Sequence, residues 1–174
     1  TELDVGAFEK ASALTSVYLP VVTKIGNTCF QSCTGLKTAR FPTATNISTN
    51  ALRYCSGLQI VDYGFSNVLT GAFQSDAKLS TLILRKIESV ATLASTNVFS
   101  GTPFAEGGTG GTVYVPAALI EQYQQATNWS TLYAAGTCTF LPLEEYTLDG
   151  TTTGEIDMAK VEAKLNELYG GATA

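Results

Sequence analysis

Four short stretches of alternating apolar and polar residues recur along the chain: LTSVYLP (14–20), LKTARFP (36–42), LQIVDYG (58–64) and LSTLILR (79–85). In the first, Val17 and Leu19 alternate with Ser16 and Tyr18, the period of two expected of a short strand with one buried face. Ala39/Phe41, Val61/Tyr63 and Leu82/Leu84 repeat the inward pair. A second motif travels with the first, as LDVGAF (3–8), IGNTCF (25–30), ISTNAL (47–52) and VLTGAF (68–73). Its starting positions 3, 25, 47 and 68 differ by 22, 22 and 21, and the leading leucines 14, 36, 58 and 79 differ by the same steps. Two motifs sharing one drift define an internal repeat.

The second half of a unit spaces its apolar residues as Ile25, Cys29, Phe30 and Cys33, which predicts one or two helical turns. Each unit then reads as strand, turn, short helix, turn, with Pro20 and Pro42 ending strands where a missing N–H costs least. So short a unit has too few inward apolar side chains to offset its own ordering entropy, and stacking on its neighbours is what makes it fold. The expected class is α/β: a short solenoid with parallel strands, a C-terminal helical cap and a tail helix.

Beyond the fourth strand, residues 87–111 hold a degenerate unit with Val90 and Phe99 and then a glycine-rich run. GTVYVP (111–116) predicts a final strand with Val113 and Val115 inward and Tyr114 outward. AALIEQYQQATNW (117–129) sets Leu119, Ile120, Tyr123 and Ala126 on one helical face with Trp129 beyond, a cap for the last coil. Residues 1–146 therefore form the solenoid with its cap, 147–155 a polar, turn-rich linker, and 156–171 an amphipathic helix. That helix has Asp157 as N-cap, apolar Met158, Val161, Leu165 and Leu168, and a stop at Gly170. Its 3-4-3 spacing is that of heptad a and d positions over about two heptads. Assembly of chains into a homo-oligomer, docking on the cap and a frayed terminus are the alternatives for it.

The motif I-G-x-x-A-F-x-x-C-x-x-L-x-x-V-x-L-P, carried by IGNTCFQSCTGLKTARFP (25–42) and ISTNALRYCSGLQIVDYG (47–64), resembles the BspA-type leucine-rich repeats of bacterial surface proteins and phage-borne proteins. The resemblance covers roughly residues 3–135. Gly64 and Arg85 depart from it in the proline position and Asp76 in the cysteine position. It implies attachment to host cells or matrix, a binding role rather than catalysis. The stretch from YVP to NWS also resembles the ending of arrays carried by prophages.

Composition narrows the chemistry. At 174 residues with 45% hydrophobic content, one domain is expected, without a stretch long enough to span a bilayer. A net charge of −5 and the lack of a Lys/Arg cluster argue against nucleic acid or an anionic membrane as partner. With no histidine, the usual triad base and the commonest metal ligand are missing, so an enzyme would run on carboxylates, Lys, Tyr or Cys. The spacing of Asp4, Glu9, Asp62, Asp76, Glu88 and Glu106 selects no pair for glycoside hydrolysis. Cys33 and Cys55 share one unit position, which raises a disulfide but fits buried packing thiols better. Cys29-x3-Cys33 lacks the second pair a metal site needs, and the glycine run 107–111 leads into a strand rather than a phosphate-binding helix. No catalytic residue, metal or cofactor is expected. The repeat is already running at Thr1-Glu2-Leu3, where neither an initiator methionine nor a signal peptide stands, so the chain is expected to be processed or excised from something longer.

The informative surface is the outward strand column. Alternation puts Tyr18, Arg40, Asp62, Ile83 and Tyr114 in one row, with Ser16, Thr38, Ile60 and Thr81 beside it. At parallel-strand spacing the row is a strip of about 20 Å. Tyr and Arg dominate binding hot spots, and exposed Ile60 and Ile83 would be unusual on a purely solvated face. Tyr18, Arg40, Ile60, Asp62, Ile83 and Tyr114 are thus the candidate ligand-binding residues; in the other reading Arg40 and Asp62 pair across strands, the tyrosines lean on neighbours and nothing binds. The expected function is a non-catalytic interaction module of an extracellular or cell-surface protein that binds a host protein or glycan. The alternative is a structural or receptor-binding component of a phage tail or fibre, located in the virion.

Overall fold

The computed structural model describes residues 1–64, 67–147 and 156–171, so the expected linker lies, apart from residue 147, outside the described residues. In chain order the strands are β1 (Glu2–Leu3), β2 (Ser16–Tyr18), β3 (Lys24–Ile25), β4 (Thr38–Phe41), β5 (Asn46–Ile47), β6 (Ile60–Tyr63), β7 (Asn67–Val68), β8 (Thr81–Leu84), β9 (Thr92–Leu93), β10 (Gly111–Val115) and β11 (Cys138–Pro142). They form two all-parallel sheets, β1-β3-β5-β7-β9 and β11-β10-β8-β6-β4-β2. The larger sheet contains the strands that the alternation predicts. Ala39, Phe41, Val61, Tyr63, Leu82, Leu84, Val113 and Val115 point into the core and are fully buried. Val17 and Leu19 are only half-buried, because β2 is the edge strand.

The smaller sheet and β11 were not legible in the sequence. The degenerate fifth coil has a single 3-10 turn at Thr96–Phe99, and in the first four coils the short helix of each unit is not formed. Its place is taken by successive tight turns whose N–H groups alternate between two uses. In the first coil Ala7, Glu9 and Ala11 donate to the carbonyls three residues back (3.4, 3.0 and 3.1 Å), while Gly6, Phe8 and Lys10 donate to Asn27, Cys29 and Gln31 of the next coil (3.0, 2.8 and 2.8 Å). The second and third coils repeat this, with Phe30 donating to Ala51 and Leu52 to Ala72. A helix would turn every N–H inward along its own axis. Here half of them stitch one coil to the next, so the apolar spacing that resembles a helix is the spacing of a stacked turn ribbon.

The ribbon needs left-handed residues at fixed places. One column is Gly6, Thr28, Asn50 and Gly71, with φ of 66, 53, 57 and 72°. A β-branched threonine is strained there, while glycine is not. Thr28→Gly is therefore expected to be neutral or stabilising by up to about 1 kcal/mol, whereas Gly71→Ala should cost about 1–2 kcal/mol. The alanine would also drive its Cβ into Asn50 Oδ1. Urea unfolding of both variants checks the pair, and a stabilised Gly71→Ala would refute the account.

All four cysteines are free and buried. The Cys33 and Cys55 thiols donate to the Phe8 and Phe30 carbonyls of the preceding coil, each at 3.0 Å, so this column packs and bonds coil to coil rather than forming disulfides. Burial pushes the thiols up, Cys29 to about 11 and Cys138 to about 12.

The cap is two short helices, α1 (Ile120–Gln125) and α2 (Trp129–Ala134), rather than one. The break falls at Asn128, whose φ of 67° leaves helical space and whose side-chain amide donates to Leu93 O at 2.7 Å. Tyr123 OH accepts from Ala91 N and Trp129 Nε1 donates to Ala91 O, so the cap closes the backbone ends of the fifth coil as well as covering Phe99. Helix α3 (Met158–Tyr169) follows the undescribed segment, with Asp157 accepting from the amides of Ala159 and Lys160 as expected of an N-cap.

Candidate recognition face beneath the tail helix

The register of the larger sheet aligns Tyr18, Arg40, Asp62, Ile83 and Tyr114 side by side across β2, β4, β6, β8 and β10. The row expected from the alternation exists, but it is not an exposed strip. Arg40, Asp62 and Ile83 have no exposure at all, and Tyr18, Ile60 and Tyr114 are half-buried. The cover is α3. Its Val161 and Leu165 dock on this face rather than on the cap helices.

An apolar half and an ionic half hold it there. Val161 and Leu165 are fully buried against Ile83 and Leu143, and Ile60, Tyr114, Tyr146, Ile156, Met158 and Tyr169 pack around them. Leu168, the last residue of the heptad-spaced stripe, remains 49% exposed. Tyr114 leans on Tyr146, ring centroids 4.7 Å apart.

On the ionic side, Asp62 is gripped by two arginines, Arg40 of the neighbouring β4 and Arg85 directly after the neighbouring β8. Arg40 Nε donates to Oδ2 at 2.9 Å, and Arg85 donates from Nε to Oδ1 and from Nη2 to Oδ2 at 2.7 Å. The outer nitrogens of both guanidiniums then converge on Glu162 of α3. Arg40 Nη2 reaches Oε1 at 3.0 Å, Arg85 Nη1 bonds Oε2, and Tyr18 OH donates to Oε1 at 2.8 Å. Arg40 Nη1 donates to Asn166 Oδ1 at 2.8 Å and to the Gly170 carbonyl, which closes the C-terminal end of α3. Arg40 also lies 4.8 Å from the centre of the Tyr18 ring.

Burial works to raise the Glu162 carboxyl, but the charges of Arg85 and Arg40, with hydrogen bonds from Tyr18 and Arg85, outweigh it and hold the group below the usual carboxylate range. Burial works to lower Arg85, and Asp62 and Glu162 together reverse that. The Tyr18 phenol is pushed up by burial first and then by Glu162. The result is a carboxylate receptor: two guanidiniums and a phenol, from β2, β4 and the residue that follows β8, around one carboxylate.

The pairing of Arg40 with Asp62 and the leaning tyrosines match the second reading of the column. Three participants were missed. Arg85 was visible only as a departure from the repeat, an arginine in the proline position, and that oddity was the signal. Glu162 and Asn166 had none, since each is an ordinary polar residue of an amphipathic helix. Among the described residues, no group of three or more His, Cys, Asp or Glu is placed to hold a metal ion, and no helix is long and apolar enough to cross a membrane.

Stacked coils with parallel strands, an aliphatic and aromatic interior and a helical cap define a short leucine-rich-repeat solenoid. Residues 1–106 match the family described as BspA type leucine rich repeat region, in six copies, and the chain belongs to that family. Repeats of this family are in general non-enzymatic interaction scaffolds, commonly of surface or secreted proteins. A comparison with curated proteins finds no match.

Proposed function

We propose that this chain is a non-catalytic interaction module of a cell-surface or secreted protein, serving adhesion by binding a host protein or glycan through the outer face of its larger sheet. The observation that carries this reading is the face itself. Tyr, Arg and Ile side chains stand in register there and hold a protein segment by burying two aliphatic side chains beside a network of charge-assisted hydrogen bonds. That is the make-up of an interface hot spot, aromatic and Arg anchors around a desolvated centre. A protein ligand suits it better than a glycan, because the space in use is the width of a helix.

Binding of the intact chain, and of a Leu165→Asp chain in which α3 is loosened, to host cells and to arrays of matrix proteins and glycans tests the proposal. Saturable binding that rises in the variant supports it. Absence of binding to every surface by both chains sinks it. A role in a phage tail or fibre rests on the resemblance of the ending. The heptad-spaced stripe that would assemble a fibre or a homo-oligomer has Val161 and Leu165 engaged within the chain.

A further inference from the structure

We infer that the sheet face under α3 is a receptor for one carboxylate presented on an amphipathic helix of a partner protein, and that α3 is a tethered stand-in which the partner displaces. This rests on the reading of the face as the recognition surface and adds what it recognises. The apolar contacts fall into two separate clusters. The solenoid interior, from Val22 to Phe140, closes without any residue of α3, while a second, separate cluster joins Val161 and Leu165 to Ile83 and Leu143, with Ile60, Tyr114 and Tyr146 partly buried beside them. Lifting α3 therefore opens no part of the main core.

The chemistry of the uncovered face points the same way. A permanently covered sheet gains little stability from buried ions, since replacing them by apolar residues of similar volume is often neutral or stabilising. This face instead carries Arg40, Asp62 and Arg85, three charged groups that water solvates readily when the cover leaves. Uncovered, they sum to one net positive charge, with Nη atoms of both arginines directed outward, and a single carboxylate completes them as Glu162 does now. Neutral or basic helices would leave the guanidiniums dry and unpaired, which gives the face its selectivity. The pattern read is a carboxylate at one position, branched aliphatics one before and three after it, and an amide four after it, as in Val161, Glu162, Leu165 and Asn166.

A second copy of this chain is the less favoured occupant. Exchanged α3 helices would make the same contacts as in one chain and would compete against a tether whose effective concentration is on the order of millimolar. A partner helix that also reaches over Ser16 and Val17 of the edge strand β2 and Pro20 beside it, which the end of α3 leaves partly open, has contacts that α3 lacks.

The test uses designed alanine/lysine helices carrying only these four residues at this spacing, one with Glu and one with Gln at the central position. They are titrated onto the full chain and onto its Leu165→Asp variant. The Glu helix is expected to bind the variant, the Gln helix about tenfold more weakly or worse, and the Glu helix to bind the full chain at least about tenfold more weakly than the variant because α3 competes. Hydrogen exchange on the full chain should show α3 amides opening while β4 and β6 stay protected, with α3 protection falling as the Glu helix is added. A Leu165→Asp chain with an intact solenoid unfolding transition that ignores the Glu helix overturns the inference. So do equal affinities for the two helices, exchange of α3 only together with β4 and β6, or a full chain whose solution mass is that of a dimer with exchanged α3. Helix binding without any binding to cells, matrix or glycans would overturn adhesion and leave this inference standing.

Discussion

Replacing Asp76 by cysteine is expected to stabilise the protein increasingly as pH rises, its advantage over the parent growing by about 4 kcal/mol between about pH 5 and about pH 8. Asp76 occupies the column in which Cys33 and Cys55 stand, and it has no exposure. One carboxyl oxygen accepts from Cys55 N at 2.7 Å, and the other has no hydrogen-bond partner among the described residues. Burial raises this carboxyl to about 9 from an ordinary value of 3.8, with only the Cys55 amide pulling it down. Below pH 3.8 the folded and unfolded chains both hold the proton and the group contributes nothing to pH dependence. Between there and about pH 9 the unfolded chain releases the proton and the folded chain keeps it. Stability then falls with rising pH, at a limiting slope of about 1.4 kcal/mol per unit, and levels off above about pH 9.

Cysteine removes that slope and restores the thiol-to-carbonyl bond seen twice in the column. Asp76→Asn, which keeps an acceptor for Cys55 N, should flatten the profile as well. Urea unfolding of the parent and the two variants under reducing conditions from about pH 4 to about pH 9 decides the matter. Parallel profiles for the parent and the Asp76→Cys variant would show that no proton is held there.

The second large effect is expected at Asp62. In Asp62→Ala, Arg40 and Arg85 face each other in a dry site with only Glu162 between them, and removing one member of a buried ion network costs about 3–5 kcal/mol. Against that, the apolar side of the contact is centred on two fully buried aliphatic side chains of α3, Val161 and Leu165, at about 2 kcal/mol each before any cost of ordering the helix. The charge penalty wins, and the least costly relief is for α3 to lift so that both guanidiniums reach water. The expected result is rapid tryptic cleavage at Lys164 with a solenoid transition within about 1 kcal/mol of the parent. Replacing Arg40, Asp62, Arg85 and Glu162 together by Met, Leu, Met and Leu leaves no charge behind and should keep α3 docked. One cooperative transition carrying the full penalty, with α3 still protected from trypsin, would mean that the helix is an inseparable part of the fold.

The two effects differ in how far the sequence shows them. Asp76 breaks a column that the period defines, so its oddity can be read without coordinates, although its burial and raised carboxyl cannot. Arg85 breaks the same period in the proline position. Asp62 lies in the outward column and reads as a surface acid until α3 is placed over it. The turn ribbon was misread because an apolar spacing of three and four is common to a helix and to stacked turns; what separates them is where alternate N–H groups point, a property of neighbouring coils.

What the amino-acid sequence determined by itself is the coil: its period, the strands β2, β4, β6, β8 and β10 of the larger sheet, the side each of their residues faces and the presence of a closing cap. These follow from local alternation and from a repeat whose copies must stack to bury their apolar faces. Only the tertiary structure decided what the outward face meets. Arg40 and Glu162 lie 122 positions apart, on elements that share no period, and the contact joins a residue of a strand column to the polar flank of a helix. Alternation assigns a side chain to one face of a sheet, but the burial of that face depends on what packs against it. Here the packing element is α3, which turns the expected open strip into a filled carboxylate receptor.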